Sequence, residues 1–179
     1  MFVGVEERYM KKVLVAGALS VGFICVAHAQ QSITVELADT ETALLGTATL
    51  TQGAKDVSIV LDLKGLSPGE HALHLHTTAE CTGWTLASAG GHFNPTNKKH
   101  GLKNPDGPHA GDLGNFTVGA NGTAKTTITA TGITLAADAP NSVFAKGGTA
   151  LIIHEGRDDM TTDPEGGVGE RIGCGAVKK

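Results

Sequence analysis

Hydrophobic and polar residues alternate over short stretches along most of the chain after residue 30, as they do in β-strands with one buried face. Turn signals rich in Gly and Pro separate these stretches. The alternation predicts eight strands, at 32–37, 44–51, 57–63, 72–77, 115–118, 123–131, 149–154 and 171–177. Because no stretch of this region keeps a long helical period, we expect an all-β domain built as a sandwich or Greek-key barrel.

Two segments interrupt the strand pattern. Residues 78–111 lose periodicity and are rich in Gly, Pro, Asn, Lys and His, and residues 157–170 are irregular and rich in Asp and Gly. Loops of this length in a compact domain are usually functional or disordered, so we expect two long functional loops. Between them, Ala120-Asn121-Gly122 predicts a hairpin that joins the strands at 115–118 and 123–131.

The N-terminus has the features of a secretory signal. A basic pair at 11–12 precedes an apolar run at 13–27, and Ala27-His28-Ala29 matches the small-x-small cleavage pattern. We predict a signal peptide over residues 1–29, with Met10 as an alternative start because acidic residues precede it. The other interpretation, a transmembrane anchor, is disfavoured because the apolar run is short for a span.

Removal of the signal leaves a single domain over residues 30–179 that contains two cysteines, Cys81 and Cys174. An even count in an exported protein favours a disulfide. The alternative, two metal-binding thiolates, is disfavoured because neither cysteine has Cys-x-x-Cys spacing. The net charge of −4 argues against nucleic acid as a partner.

Seven of the eight histidines lie beyond the predicted signal. His74 and His76 are two residues apart on a predicted strand, so both side chains leave the same face and can share one metal ion. His71 lies three residues before His74 and should point the other way, so we expect it to be structural. His154 ends a late strand that reads as buried.

Another four candidate ligands lie in or at the end of the first long loop: His92, His100, His109 and Asp112. Their spacing has no regular period, but a loop can wrap such residues around one ion, and four nitrogen and oxygen ligands suit Zn²⁺. Binding would offset the entropy lost when the loop becomes ordered.

Several exact runs of residues are typical of one protein family. They are His71-Ala-Leu-His74-Leu-His76, Ala89-Gly90-Gly91-His92-Phe93-Asn94-Pro95, His100-Gly101, Pro108-His109-Ala110-Gly111-Asp112-Leu113-Gly114-Asn115, His154 with Asp158-Asp159, and Gly169-Glu170-Arg171-Ile172-Gly173-Cys174-Gly175. On these runs the sequence resembles the copper/zinc superoxide dismutases, in the style of the bacterial periplasmic branch. The resemblance covers the whole region after the signal and implies an eight-stranded Greek-key β-barrel or sandwich.

The resemblance also implies one copper and one zinc ion per subunit. It assigns the copper ligands to His74, His76, His92 and His154, and the zinc ligands to His92, His100, His109 and Asp112. His92 would bridge the two metals and act in catalysis with Arg171, which lies beside the copper. Asp158 would be the carboxylate that supports one ligand ring on each metal, and Cys81 and Cys174 would form the family disulfide.

The implied activity is dismutation of superoxide to oxygen and hydrogen peroxide. We expect the protein to act in the periplasm, or alternatively as a secreted protein, without membrane association once the signal is cleaved. The resemblance allows a homodimer as its assembly. Two other functions stay open: a periplasmic copper-binding or buffering protein on the same fold, and a zinc hydrolase. Ala79 stands where the family usually has Gly, and we expect it to shift the loop slightly or to cost some stability. Lys98, Lys99 and Lys103 are candidates for attracting the anionic substrate.

Overall fold

Eight strands form where the sequence alternates between apolar and polar residues. The computed structural model describes residue 1 and residues 30–179, so the predicted signal peptide lies almost wholly outside the described residues. The strands are β1 (Ser32–Ala38), β2 (Leu44–Gln52), β3 (Val57–Leu63), β4 (Gly69–His76), β5 (Asp112–Val118), β6 (Ala124–Ala130), β7 (Thr149–His154) and β8 (Arg171–Val177). The predicted bounds of β3, β7 and β8 agree with the structure residue for residue.

All eight strands belong to one antiparallel sheet in the order β5-β4-β7-β8-β1-β2-β3-β6. The end strands β5 and β6 contact each other, so the sheet curls into a nearly closed barrel. Three neighbour pairs, β3–β6, β4–β7 and β1–β8, are not consecutive in sequence, and such crossovers are typical of Greek-key connections. The predicted all-β Greek-key barrel is confirmed.

The hairpin predicted around residues 120–122 is wrong in its pairing. A tight turn is present, closed by the Gly119 amide donating to the Thr123 carbonyl at 2.9 Å. However, β5 forms its ladder with β4, and β6 forms its ladder with β3. The turn therefore joins the two ends of the sheet across the barrel seam, because each strand finds its hydrogen-bonding partner elsewhere in the chain.

Strand β4 separates the barrel core from the outer surface on which the histidines lie. Leu73 and Leu75 are fully buried in the main core, whereas His74 and His76 point to the opposite side. His71 shares the inward parity, and its ring nitrogens lie 2.9 Å from the His154 carbonyl and 2.8 Å from the Ser67 carbonyl. The expected orientation of His71, away from His74, is therefore present, with polar contacts that suit a structural role.

Loops cover the outer side of β4, β7 and β8. The two predicted long loops are present, at 77–111 and 155–170, and a third irregular segment at 131–148 was not predicted. Cys81 in the first loop and Cys174 on β8 form a disulfide that spans 93 residues. A second apolar cluster packs this loop against the barrel: Leu86, Ala89, Ala150, Ile152 and Cys174.

Helical structure in the described part of the chain is limited to two 3₁₀ turns, Ala87–Ala89 and Ala145–Gly147. No helix among the described residues is long and apolar enough to cross a membrane.

Candidate metal centre

Two neighbouring strands bring three histidines together on the outer face of the barrel. In the ladder between β4 and β7, His74 pairs with Ile152 and His76 pairs with Ala150. The ring of His154, at the end of β7, lies 5.0 Å from the ring of His74 and 5.7 Å from that of His76 between centroids. All three side chains are buried. The barrel wall thus fixes three imidazoles at one place.

His92 joins this group because its loop runs back along the end of β4. The Phe93 amide donates to the Leu75 carbonyl at 2.7 Å, and the Thr77 amide donates to the Gly91 carbonyl at 2.9 Å. These bonds bring the His92 ring to 4.1 Å from the ring of His74 between centroids. One candidate ligand atom from each of four residues then lies within 4.8 Å of the others: His74, His76, His92 and His154, which we call the strand cluster.

The strand cluster contains buried ring nitrogens that have no hydrogen-bond partner among the described residues. They are His74 Nδ1, His76 Nε2, His92 Nε2, and both ring nitrogens of His154. An unsatisfied buried polar atom costs about 1–3 kcal/mol, so four imidazoles that aim such atoms at one place fit a bound metal ion. Imidazole nitrogens suit copper among the transition metals.

Other contacts hold two of these rings in orientation. His74 Nε2 donates to Asp158 Oδ2 at 2.9 Å, and His76 Nδ1 donates to the Gly90 carbonyl at 2.8 Å. Burial lowers the pKa of His76 to about 2 and that of His154 to about 3, so both rings are neutral in the physiological range, as metal ligands must be.

The loop cluster, which consists of His92, His100, His109 and Asp112, gathers on the other side of His92. Asp112 Oδ1 lies 2.9 Å from His92 Nδ1, 3.0 Å from His100 Nδ1 and 3.2 Å from His109 Nδ1. His109 Nδ1 lies 3.4 Å from His92 Nδ1. The other carboxylate oxygen of Asp112 accepts from the amides of Gly101 and His109, so Oδ1 is the oxygen left to face the rings.

These distances fit a tetrahedral zinc ion. Zinc–nitrogen bonds of about 2.0–2.1 Å in a tetrahedron place ligand atoms roughly 3.3–3.4 Å apart. His74 also lies within reach of His92, His100 and Asp112, but its Nε2 already contacts Asp158. His109, whose Nδ1 lies close to both Asp112 Oδ1 and His92 Nδ1, is therefore better placed than His74 to face the centre of this group.

Within the loop cluster, Asp112 and His100 shift each other's pKa in opposite directions. Burial opposes the charged form of Asp112, but the hydrogen bonds from His100, His92 and the Gly101 amide together outweigh it, so the pKa of Asp112 lies well below its usual range. Contacts with Asp112 and Asp158 raise the pKa of His100 to about 9 in the metal-free protein. A divalent cation would replace this proton.

Asp158 contacts both clusters from the second long loop. Its Oδ2 accepts from His74, while its Oδ1 accepts from His100 Nε2 at 3.0 Å and from the Met160 amide at 2.6 Å. The carboxylate is fully buried, and these donors hold its pKa well below the usual range despite the burial. One carboxylate therefore orients a ring in each cluster.

Comparison with known proteins agrees with this double site. The sequence model of the family described as copper/zinc superoxide dismutase (SODC) matches residues 44–177. The chain belongs to the copper/zinc superoxide dismutase family.

Similar proteins come from several bacteria. A protein named superoxide dismutase [Cu-Zn] 2 from Aquifex aeolicus is 46% identical over 144 residues, which is 80% of this chain and 84% of that protein. A superoxide-dismutase-like protein from Bacillus subtilis has a solved structure with a TM-score of 0.79 at 36% identity, covering 83% of this chain and 99% of that one. The Cu/Zn superoxide dismutase from Brucella abortus gives a TM-score of 0.68 at 26% identity, covering 83% of this chain and all of that one.

Arg171 lies beside the strand cluster, because it pairs with His154 in the ladder between β7 and β8. Its Nη1 donates to the Leu86 carbonyl at 3.1 Å, and its Nη2 lies 3.5 Å from Glu165 Oε1. Among the described residues the guanidinium forms no salt bridge with the nearby acidic residues Asp158, Asp159 or Glu170. Arg171 also lines a surface groove of about 540 Å³ with Thr40, Trp84 and Glu170 among its walls.

The family disulfide expected between Cys81 and Cys174 is present, and it holds the loop that supplies Leu86 and Gly90. The neighbouring Ala79 is buried and does not have a left-handed backbone conformation, so a glycine is not required there. Its methyl group packs against Gly148, where an added Cβ would come within 2.9 Å.

The three candidate lysines differ in their contacts. Lys99 donates to Asp163 at 3.0 Å, while Lys98 and Lys103 form no salt bridge within the described region. All three lie on the exposed surface of the first loop.

Sequence reasoning missed several residues that support the site. Asn115 hydrogen-bonds the backbone of Asp158, and Gly166 is so close to the Asp158 carboxylate that a side chain there would collide with it. Asn115 lies in one of the family runs, but nothing in its spacing indicated a partner 43 residues away.

Proposed function

We propose that this chain dismutes superoxide at a copper ion held by the strand cluster, with a zinc ion held by the loop cluster and His92 shared between them. The proposal assigns one ion of each metal per subunit. Its main support is the arrangement around His92, whose unpartnered Nε2 faces three other buried histidines while its Nδ1 lies beside Asp112. A ring used on both sides in this way would suit a bridge between two metals.

The reaction converts two superoxide anions and two protons into one molecule each of oxygen and hydrogen peroxide. Copper, when bound, supplies the one-electron chemistry, taking an electron from the first anion and giving it to the second. His92 would hold a proton at Nε2 between the two half-reactions and release it to the forming peroxide. Zinc at Nδ1 would keep the ring in place meanwhile.

Arg171 would attract the anion and orient it by hydrogen bonding. Arg171 pairs with His154 of the strand cluster in the ladder between β7 and β8, and its side chain lines a surface groove, which supports this role. The bond to the Leu86 carbonyl would keep the side chain from swinging away, and the disulfide at Cys81 would hold that carbonyl in position.

We further infer that residues 1–29 direct export and that the enzyme acts in the periplasm, with secretion as the alternative location. The disulfide is consistent with an oxidising compartment. A homodimer is one possible assembly.

The decisive test combines metal analysis with a superoxide-consumption assay on protein loaded with copper and zinc. We expect a rate close to the diffusion limit, which is typical of superoxide dismutases. Full copper occupancy without acceleration over free solution would refute the proposal and favour a copper-buffering role. A zinc hydrolase would instead need an open zinc position, and the four ligands of the loop cluster leave none.

The role of Arg171 has a matched control in Arg157, an exposed arginine that lies 3.9 Å from Glu70. Arg171→Ile should lower the rate about tenfold or more at low salt and weaken its salt dependence, while copper stays bound. Arg157→Ile should leave the rate nearly unchanged. Equal effects of the two substitutions would mean that general charge, and not the position of Arg171, controls the rate.

A further inference from the structure

Asn115 on β5 forms two hydrogen bonds to the backbone of one residue in the second long loop. Its Nδ2 donates to the Asp158 carbonyl at 2.9 Å, and its Oδ1 accepts from the Asp158 amide at 2.8 Å. Both polar atoms of the carboxamide are thus used on Asp158. We infer that Asn115 is a positioning residue that sets where the Asp158 carboxylate lies between the two metal positions. This inference rests on the proposed function.

Asp158 needs such support because it lies outside any strand. Its two carboxylate oxygens must reach His74 and His100 at the same time, at 2.9 and 3.0 Å. A small rotation of the backbone at residue 158 would lengthen one of these bonds or both. Two bonds from a rigid strand remove that freedom more effectively than one bond could, because they fix direction as well as distance.

The surroundings of Asp158 leave little room for an alternative position. A Cβ at Gly166 would collide with Asp158 Oδ1 and come within 2.7 Å of His100 Nε2. The second loop therefore closes over the carboxylate from one side while Asn115 holds its backbone from the other. The two contacts together define a single position for a group that both clusters use.

The sheet itself does not require the Asn115 side chain. Residue 115 pairs with Ala72 through the backbone ladder of β4 and β5. Thr117, two residues further on the same face of β5, is exposed and makes no side-chain hydrogen bond within the described residues. Thr117→Ala is therefore a matched control for Asn115→Ala, since it shortens a polar side chain on the same strand without touching Asp158.

The test measures zinc affinity of copper-free protein by competition with a chelator, and the Cu(II) EPR spectrum of the fully loaded protein. Asn115→Ala should weaken zinc binding several-fold, up to the roughly 10–100-fold expected when Asp158, which contacts the ligand rings directly, is itself removed. It should also shift the EPR spectrum in the same direction as Asp158→Ala, because His74 loses the same support. Thr117→Ala should change neither property.

A double-variant comparison shows whether Asn115 acts through Asp158. In an Asp158→Ala background, Asn115→Ala should change zinc affinity less than about twofold, because the carboxylate that it positions is gone. If Asp158→Ala does not fold, Asp158→Asn serves as the background, and there the effect of Asn115→Ala should be clearly smaller than in the wild-type chain.

The outcomes separate this inference from the proposed function. An unchanged zinc affinity in Asn115→Ala, or an equal loss in both backgrounds, would overturn the positioning role alone. An unchanged affinity in Asp158→Ala would remove the proposed role of Asp158, and the inference with it. A copper-loaded protein without dismutase activity would refute the proposed function, whereas the zinc measurements would still report on Asn115.

Discussion

The strand cluster and the loop cluster satisfy their buried polar atoms in different ways. In the strand cluster, ring nitrogens of His74, His76 and His154 converge without partners. In the loop cluster, Asp112 lies within hydrogen-bond distance of three rings and two backbone amides. The strand cluster is thus held mainly by the barrel, but several of its ring nitrogens lack a hydrogen-bond partner. The loop cluster has its hydrogen bonds satisfied around Asp112, but most of its residues lie on a long loop.

This difference implies that the two proposed metals would contribute differently to the structure. The barrel already fixes three of the four histidines in the strand cluster, so copper would add little order there and would mainly satisfy the unpartnered nitrogens. The loop cluster must be kept in place by other means, and the structure provides the disulfide, Asp158 and the bonds from residues 91–93 to β4. Loss of these supports should affect the loop cluster first.

The largest effect should come from removing the disulfide with the double substitution Cys81→Ser and Cys174→Ser. A crosslink that closes 93 residues stabilises the folded state by about 4–5 kcal/mol in the chain-entropy model. Urea unfolding of metal-free protein measures the loss. Zinc affinity should fall more than copper affinity; equal losses would show that the loop cluster does not depend on the tether.

The next largest effects should come from His76→Ala and Asp112→Ala, which remove one residue from the strand cluster and one from the loop cluster. His76→Ala should reduce the dismutase rate at least about a hundredfold, because a direct ligand matters more than the outer-shell groups whose loss costs 10–100-fold. In the metal-free protein Asp112→Ala should instead be the more damaging substitution, because it lowers the stability of the fold more than His76→Ala does. Asp112→Ala should destabilise the fold by about 2–3 kcal/mol because it leaves the amides of Gly101 and His109 unpaired.

His76→Ala should cost the metal-free protein less than Asp112→Ala does, because it also removes a buried nitrogen that has no partner. Urea titrations of both apo variants, compared with the wild-type chain, measure this. A larger loss in His76→Ala than in Asp112→Ala would break the contrast between the two clusters.

The two clusters should also respond to pH in opposite directions when metal is absent. The folded-state pKa of His76 is lowered to about 2, so the unfolded chain binds more protons below about 6.5 and stability falls on acidification. The folded-state pKa of His100 is raised to about 9, so its contribution is complete below about 6.5 and is lost as the pH rises towards 9.

Melting temperatures of metal-free protein between pH 4 and pH 9 test this on single variants. His76→Ala should flatten the acid side of the profile, and His100→Ala should flatten the alkaline side. The assignment would be wrong if His76→Ala flattened the alkaline side of the profile and His100→Ala flattened the acid side.

The smallest effect should come from Lys99→Ala. The Lys99–Asp163 pair is exposed, so its loss should cost between 0 and about 1 kcal/mol. Lys125, which forms an equally short pair with Asp62 on the barrel, provides the control. Asp163→Ala should cost more than Lys99→Ala, because Asp163 also accepts from the His100 amide at 2.8 Å. Thermal unfolding compares the three variants.

The sequence allowed much of the fold to be predicted because alternation is strong where a strand has one buried face, as in β3 and β8. It misassigned the pairing of β5 and β6, since a local turn signal contains no information about which strand completes each ladder. It also gave no sign of the contact between Asn115 and Asp158, because a side chain that bonds backbone 43 residues away leaves no periodic trace. The candidate ligand histidines could be predicted from their spacing and from the family resemblance. The path of the loops that bring His92, His100 and His109 to the barrel could not.

Strand β4 places leucines on one side and histidines on the other in strict alternation from Leu73 to His76. A slip of one residue in this strand would put both imidazoles into the apolar core and both leucines against the metals. A chain folded in the wrong register could therefore not take up copper at this site. Copper uptake at the proposed site would therefore require the observed register, and the copper content of a preparation would report the fraction of molecules in which β4 is correctly paired.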